Sequence, residues 1–415
     1  MIPLGFLLAD LRRLWLGALA IVLLIALATA LGIAVQLQER ALRLGSARAA
    51  DRFDIVVGAA GSETQLVLSS VFLQAAPLPL MDGSVLKALA EDPRVAYAAP
   101  VGFGDSFEGL PIVGTIAAFA REAGGGALSE GRVFDALDEA VVGARVPLAL
   151  GGIIKPMHGL PGEGGHTHSE IAYRVVGRMA PTGTPWDRAI LVPIEAVWRL
   201  HGMGDAHAWP RRVEGEGEHA HGLEGGSDHL GSPWPQATPG VPAVIVKART
   251  IADAYRLRAQ YRKPPTLAVF PAEVLVRLYG TLGDARLLLG GIALGAQALV
   301  IVAVMLVSAV HLAQRRAQIA ALRALGAPRR AIFALVWSEV MALVGVGAML
   351  GAGLGFLVAR MVAAQLTRQS GIVLPVEFAP EDLAFLALML GVAALAALVP
   401  AVMAYRQPAT IGLSA

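Results

Sequence analysis

The residues of this 415-residue sequence best suited to chemistry are its nine histidines, eight of which lie between His158 and His229. Neutral imidazole is a common zinc ligand, and the triplets HTH at His166 and His168 and HAH at His219 and His221 place two rings on one side of an extended strand. These four are the candidate ligands of a zinc-binding surface; their glycine-rich surroundings equally suit solvated loop histidines. No HExxH occurs, so a hydrolytic zinc centre has no support. The absence of cysteine removes thiolate ligands, thiol nucleophiles and disulfides together, and no serine lies in GxSxG. The run VVGAAGSETQ at residues 56–65 has the glycines of a phosphate loop but no lysine, and reads as a turn between a strand and a helix. The chain therefore carries no catalytic residue and no ATP site of its own, and ATP-driven work would need a second polypeptide.

A second group is basic. The stretch HLAQRRAQIAALRALGAPRRAIFALVWSE, from His311, gathers Arg315, Arg316, Arg323, Arg329 and Arg330 with no acid before Glu339. Charge bias across a membrane accounts for such a cluster, but the order of residues points further. Gln318, Ile319, Leu322, Arg323 and Leu325 have helical spacing, and then Gly326 can end a helix that Pro328 cannot continue. The spacing predicts a short amphipathic helix at the membrane surface, its apolar face docked on a partner or in the interface and its arginines in water. Glu339 lies eight residues into the next apolar run, about 12 Å deep at 1.5 Å per residue. A carboxylate there must face other helices or a base such as Arg330, and a structural clamp fits better than proton transfer. Gly347, Gly351 and Gly355 recur at intervals of four and admit a close neighbouring helix, from this chain or from a second copy.

The elements that must hold these groups follow from hydropathy. With 55% hydrophobic and 16% charged residues and a mean hydropathy of +0.60, the chain is a membrane protein, and a net charge of +2 gives no basis for nucleic-acid binding. Four uncharged runs are long enough to cross a bilayer, one near the N-terminus and three near the C-terminus. The expected fold is membrane α-helical, four transmembrane helices arranged one plus three, with a large α+β extracytoplasmic domain. Residues 1–37 hold a cytoplasmic segment and the first span, too long an apolar run for a cleaved signal core. The large domain covers 38–285, the second span 286–313, the short basic helix 314–330, the third span 331–362, an outer loop 363–382, and the fourth span with its tail 383–415. The basic loop faces the cytoplasm, and the acidic loop with Glu377, Glu381 and Asp382 faces outward, so both termini are cytoplasmic. Arg40, Arg43, Arg48 and Arg52 run against this bias and read as a stalk helix leading into the large domain. Within that domain FDIVVG, IAYRVVG, AILVPI and AVIVKA read as strands, DGSVLKALAEDP and IADAYRLRAQYR as helices. Residues 202–242, rich in Gly, Pro, Glu and His, read as a mobile insertion.

RRAQIAALRALGAPRRAIFALVWSE resembles the cytoplasmic loop of the FtsX-like permeases, the MacB, LolC/LolE and FtsX group of ABC transporter subunits. The ending VPAVMAYRQPATIGLSA and the one-plus-three spans are similar to theirs as well. The phrases DRFDIVVGAAGSETQLVLSSVF, DEAVVGARVPLAL and YRVVGRMAPTGTPWDRAILVPIEAVWRLHG resemble DevC-type permeases with an outer domain of the MacB core class. The resemblance implies a bacterial inner-membrane subunit whose partner, a cytoplasmic ABC ATPase, binds ATP and magnesium and touches it near Gln318, Arg323, Leu325 and Gly326. With four spans per chain, pairing with a second permease chain, as a homodimer, is expected, and so is a periplasmic partner or substrate protein. The helices would then transmit motion instead of conducting substrate. Two alternatives stay open: an FtsX-like signalling scaffold that activates a periplasmic partner, and a component of a zinc-handling system that uses the periplasmic histidines.

Overall fold

A computed structural model describes residues 15–74, 76–122, 128–158, 171–203, 230–281, parts of 290–323, and 326–406. The chain forms two compact units, one made of 1–43, 282–365 and 375–415, the other of 44–281 and 366–374.

Helix α1, Trp15–Ala50, runs through the first apolar segment and continues without a break over the predicted stalk as far as Ala50, two residues short of Arg52. At 36 residues it is about 54 Å long, well beyond the roughly 30 Å of a hydrocarbon core.

The second unit is a mixed sheet between two layers of helices. Its elements are β1 (Ile55–Ala59), α2 (Glu63–Ser70), α3 (Gly83–Glu91), β2 (Val95–Phe107), β3 (Leu110–Thr115), α4 (Ala117–Glu122), β4 (Leu128–Gly131), β5 (Glu139–Val142), β6 (Ile153–Ile154), β7 (Met157–His158), β8 (Tyr173–Met179), β9 (Ile190–Pro193), α5 (Ile194–Leu200), β10 (Ala243–Ala248), α6 (Ile251–Tyr261), β11 (Thr266–Val269) and α7 (Pro271–Thr281). The strand order is β11-β1-β10-β2-β3-β9-β5-β8-β4, with β6 beside β8 and β7 beside β2. β3 with β9 and β5 with β8 are parallel, the other pairs antiparallel.

Alternation along the strands feeds two cores. Ile55 and Val57 of β1 and Val244 and Val246 of β10 pack on one face with Leu86, Leu89, Val197 and Leu257 of α3, α5 and α6. Val56 and Ile245 pack on the other with Leu66, Phe119, Trp186 and Val274. Because both faces are covered, these strands read in sequence as unbroken apolar runs. The four predicted strands correspond to β1, β8, β9 and β10, and the two predicted helices to α3 and α6. The glycine run at 56–65 is the turn from β1 into α2, capped by Ser62, whose side chain accepts from the N–H of Gln65 at 3.3 Å. Most of the predicted insertion, 204–229, lies outside the described residues.

Three further helices close the chain: α8 (Arg329–Ser370), α9 (Pro380–Ala396) and α10 (Leu398–Arg406). Among the described residues, three helical segments are long and apolar enough to cross a membrane: α1, α8, and 380–406. The expected second span lies only in part within the described residues, and those of its residues from 290 to 310 that are described are helical. The expected outer loop 363–382 is helical as far as Ser370, so the third span and its continuation are one 42-residue rod. Gly371 ends that rod at φ +79°, where a Cβ would lie 2.9 Å from Pro185 Cα. A glycine there meets both the left-handed backbone and the close approach. The end of α8 is anchored in the sheet unit: Arg145 donates to the carbonyl of Thr367 at 3.0 Å, and Val373 N–H to that of Gly183 at 3.0 Å.

Candidate functional site

The glycines at 347, 351 and 355 form a buried face of α8. A Cβ on Gly351 would sit 2.5 Å from the carbonyl oxygen of Ala26 and 2.6 Å from Thr29 Cβ; one on Gly355 would sit 2.7 Å from the carbonyl oxygen of Ala30. At Gly347 the obstacle is Ile25, 2.8 Å away. The two helices therefore touch backbone to backbone, with Ala26 and Ala30 of α1 spaced by four as their partners. This stripe is filled by a helix of the same chain, which leaves it no room for a second copy.

At another level of this helical unit, Arg40 of α1 meets the first turn of α9. Its guanidinium donates to both oxygens of Asp382, at 2.6 and 3.0 Å, and Asp382 is fully buried. One of those oxygens also accepts the N–H of Ala379 at 2.8 Å. An acid in the first turn of a helix satisfies that turn's free N–H groups, and here it holds a neighbouring helix as well. Arg40 thus departs from the charge bias because a buried acid of the last span neutralises it. The sequence carried that signal, an arginine on the wrong side opposite an acid-rich loop, but not the pairing.

Around the basic stretch, Gln318 and Leu325 lie outside the described residues, while Arg323 is helical and half-buried. Gly326 has φ +95° and donates its N–H to the carbonyl of Arg323 at 3.0 Å, ending the helix as its type predicts. Ile319 is buried against Ile332 of α8 and Ala404 of α10, with Val336 beside them. At Ile319 the basic stretch is therefore packed on two helices of the same unit. Arg329 begins α8 with its guanidinium 6.0 Å from the ring centre of Tyr405. Glu339 is half-buried on α8, between Trp337, whose indole N–H donates to the carbonyl of Ala394 at 3.2 Å, and the buried Val340.

In the sheet unit, His166, His168, His219 and His221 lie outside the described residues. His158 and His201, which share no local motif, come together beside Asp105. Two other buried carboxylates are structural. Glu139 receives Arg132 on both oxygens and the N–H of Asp135 at 3.0 Å; burial alone would raise its pKa, but these donors outweigh it and hold the group at about 2. Asp187 accepts the N–H groups of Thr182 and Gly183 and the hydroxyl of Thr182, at 2.6 to 2.9 Å, and so fixes the turn that receives the end of α8.

Residues 290–409 match the family described as FtsX-like permease C-terminal. The resemblance carried by the basic stretch and the tail thus extends over the whole C-terminal helical region. No curated protein matches the chain in sequence. Among solved structures, the periplasmic region of MacB from Actinobacillus actinomycetemcomitans is similar at 11% identity and TM-score 0.32, over 54% of this chain and 92% of that one. The extracellular domain of YknZ, a noncanonic ABC-type transporter from Gram-positive bacteria, is similar at 11% identity and TM-score 0.28, over 52% and 98%.

Proposed function

We propose that this chain is the membrane subunit of an ABC transporter of the FtsX-like permease kind, and that it passes the motion of a separate cytoplasmic ATPase to its sheet domain. The ATPase binds ATP and magnesium; this chain supplies the grip and the levers. The observation that carries the reading is the match over 290–409, together with what lies at the start of α8. There a helix-ending glycine follows Arg323, and Ile319 is packed on both α8 and α10.

The mechanism follows from packing. A push on the turn at Arg323 and Gly326 is passed through Ile319 to Ile332 and Ala404. The glycine stripe couples α8 to α1, and the Arg40–Asp382 pair couples α1 to α9, so the helices shift as one body. α1 and α8 are each a single helix with residues in both units. A closely packed interior transmits displacement because it compresses little. Transport or extraction of an envelope substrate, at the bacterial inner membrane, is the work such motion would perform. A second permease chain would have to bind a face other than the glycine stripe.

The test is recovery of the ATPase. Solubilised wild-type protein should co-purify with a polypeptide carrying a GxxxxGK[ST] sequence. Arg323→Glu combined with Gly326→Trp should lower that recovery at least tenfold, while the permease stays monodisperse with an unchanged melting temperature. Undiminished recovery from the double variant would contradict the reading.

A further inference from the structure

The sheet domain gathers three metal-ligating side chains that no sequence motif announces. Asp105 follows a bulge in β2, where the register with β3 shifts between Phe103 and Asp105. Bulges re-aim side chains, and here Asp105 is turned inward to 6% exposure while Gly104 stays exposed. His158 lies directly across the ladder from Asp105, its Nδ1 3.2 Å from Oδ1. His201 caps the C-terminus of α5 and brings its Nε2 to 3.8 Å from Oδ2. One ligand atom from each residue lies within 4.8 Å of the others.

Three features separate this cluster from an ordinary pair of histidines near an acid. First, the tautomer of His201 is fixed: Nδ1 lies 2.9 Å from the carbonyl oxygen of Val197, which can only accept, so Nδ1 carries the proton. Nε2, which faces Oδ2 of Asp105, is therefore the nitrogen available to a metal ion. A backbone carbonyl on the far nitrogen is the usual way a ligating imidazole is oriented. Second, Asp105 is a buried carboxylate that faces both imidazoles. The hydroxyl of Tyr173 is buried without a hydrogen-bond partner among the described residues. Third, the spacing suits an ion: bonds of about 2.0–2.1 Å in a tetrahedron place ligand atoms about 3.3–3.5 Å apart. His158 Nδ1 lies 3.2 Å from Oδ1 and His201 Nε2 3.8 Å from Oδ2, so each ring stands near that distance from its own carboxylate oxygen.

The geometry points to a site for one divalent transition-metal ion of the zinc class, held by Asp105, His158 and His201. Two imidazoles disfavour magnesium and calcium, which take oxygen ligands. Three protein ligands leave a coordination position for water or for a group from another molecule. The half-exposed ring of His158 places that position toward solvent. This inference is independent of the ATPase reading.

The experiment uses the full-length protein in detergent, stripped of metal. Zinc affinity is measured against a chromophoric chelator, and cobalt serves as the spectroscopic probe. Wild type should hold one ion tightly, with the visible absorption of four-coordinate cobalt. His201→Ala and His158→Ala should each weaken zinc binding by about 100-fold or more, since even the loss of a group that only orients a ligand costs about 10- to 100-fold, and should abolish the cobalt bands. A variant with His166, His168, His219 and His221 all replaced by alanine should keep both. His158 guards against misfolding, because its exposed ring can be removed without opening a core, and the metal-free melting temperature reports on each variant. Wild-type affinity in both single variants, or loss of the tight site in the fourfold variant, would overturn the assignment, as would no tight binding in the wild type.

Discussion

Glu195 is a carboxylate in a place that disfavours its charge. It sits in the first turn of α5, 4% exposed, and one oxygen accepts the N–H of Gly231 at 2.7 Å. Burial pushes its pKa up to about 6, and the Gly231 donor offsets this in part. An unfolded glutamate titrates near 4.3, so the folded state holds the proton more tightly. The resulting stabilisation is fully present below about pH 4.3 and is lost as pH rises through about 6. The shift corresponds to about 2 kcal/mol. Glu195→Gln keeps an acceptor for Gly231 and removes the charge. Its melting temperature should exceed that of wild type above pH 6 and converge with it near pH 4; a difference independent of pH would contradict this assignment. Nothing in PIEAVWRL announces that behaviour, since an acid in a first helical turn normally favours a helix exposed to water. The burial comes from a segment 36 residues further on. The same holds for Asp105 and His158, 53 residues apart. Adjacent histidines in HTH and HAH are visible to a reader of sequence, whereas rings joined by a strand ladder and a helix cap are not.

At the scale of elements, legibility tracks how local the cause is. The apolar runs that became α1 and α8, and the Val and Ile runs bounded by Gly or Pro that became β1, β8, β9 and β10, are set by composition over a short window. The hairpin of β2 and β3 escaped because VAYAAPVGFGDSF mixes small residues with proline and glycine; its strand character comes from pairing with β10 on one side and β3 on the other. The glycine spacing in α8 was legible, but its partner was not, because intervals of four describe a face and not what covers it. Gly351 and Gly353 separate the two questions. A side chain at Gly351 collides with α1, whereas one at Gly353 meets nothing within 4 Å. Gly351→Val should lower the stability of the detergent-solubilised protein by about 2 kcal/mol or more, and Gly353→Val by less than about 1 kcal/mol. Equal melting temperatures for the two variants would show that α1 does not pack on this stripe.

In the whole molecule, α1 and α8 each contribute residues to both units. For a cytoplasmic ATPase to act on the sheet domain through them, the arginine-rich turn before α8 must lie on the ATPase's side of the membrane and the sheet domain on the other. The absence of native cysteine makes this directly measurable, because any introduced thiol is the only one in the chain. Single cysteines at Ala321 in the short helix and at Arg256 on α6, both exposed, would be treated with a membrane-impermeant maleimide in cells whose cytoplasmic membrane is intact. Arg256→Cys should label at once, and Ala321→Cys should label after the membrane is opened. Labelling of Ala321→Cys before the membrane is opened would contradict this arrangement.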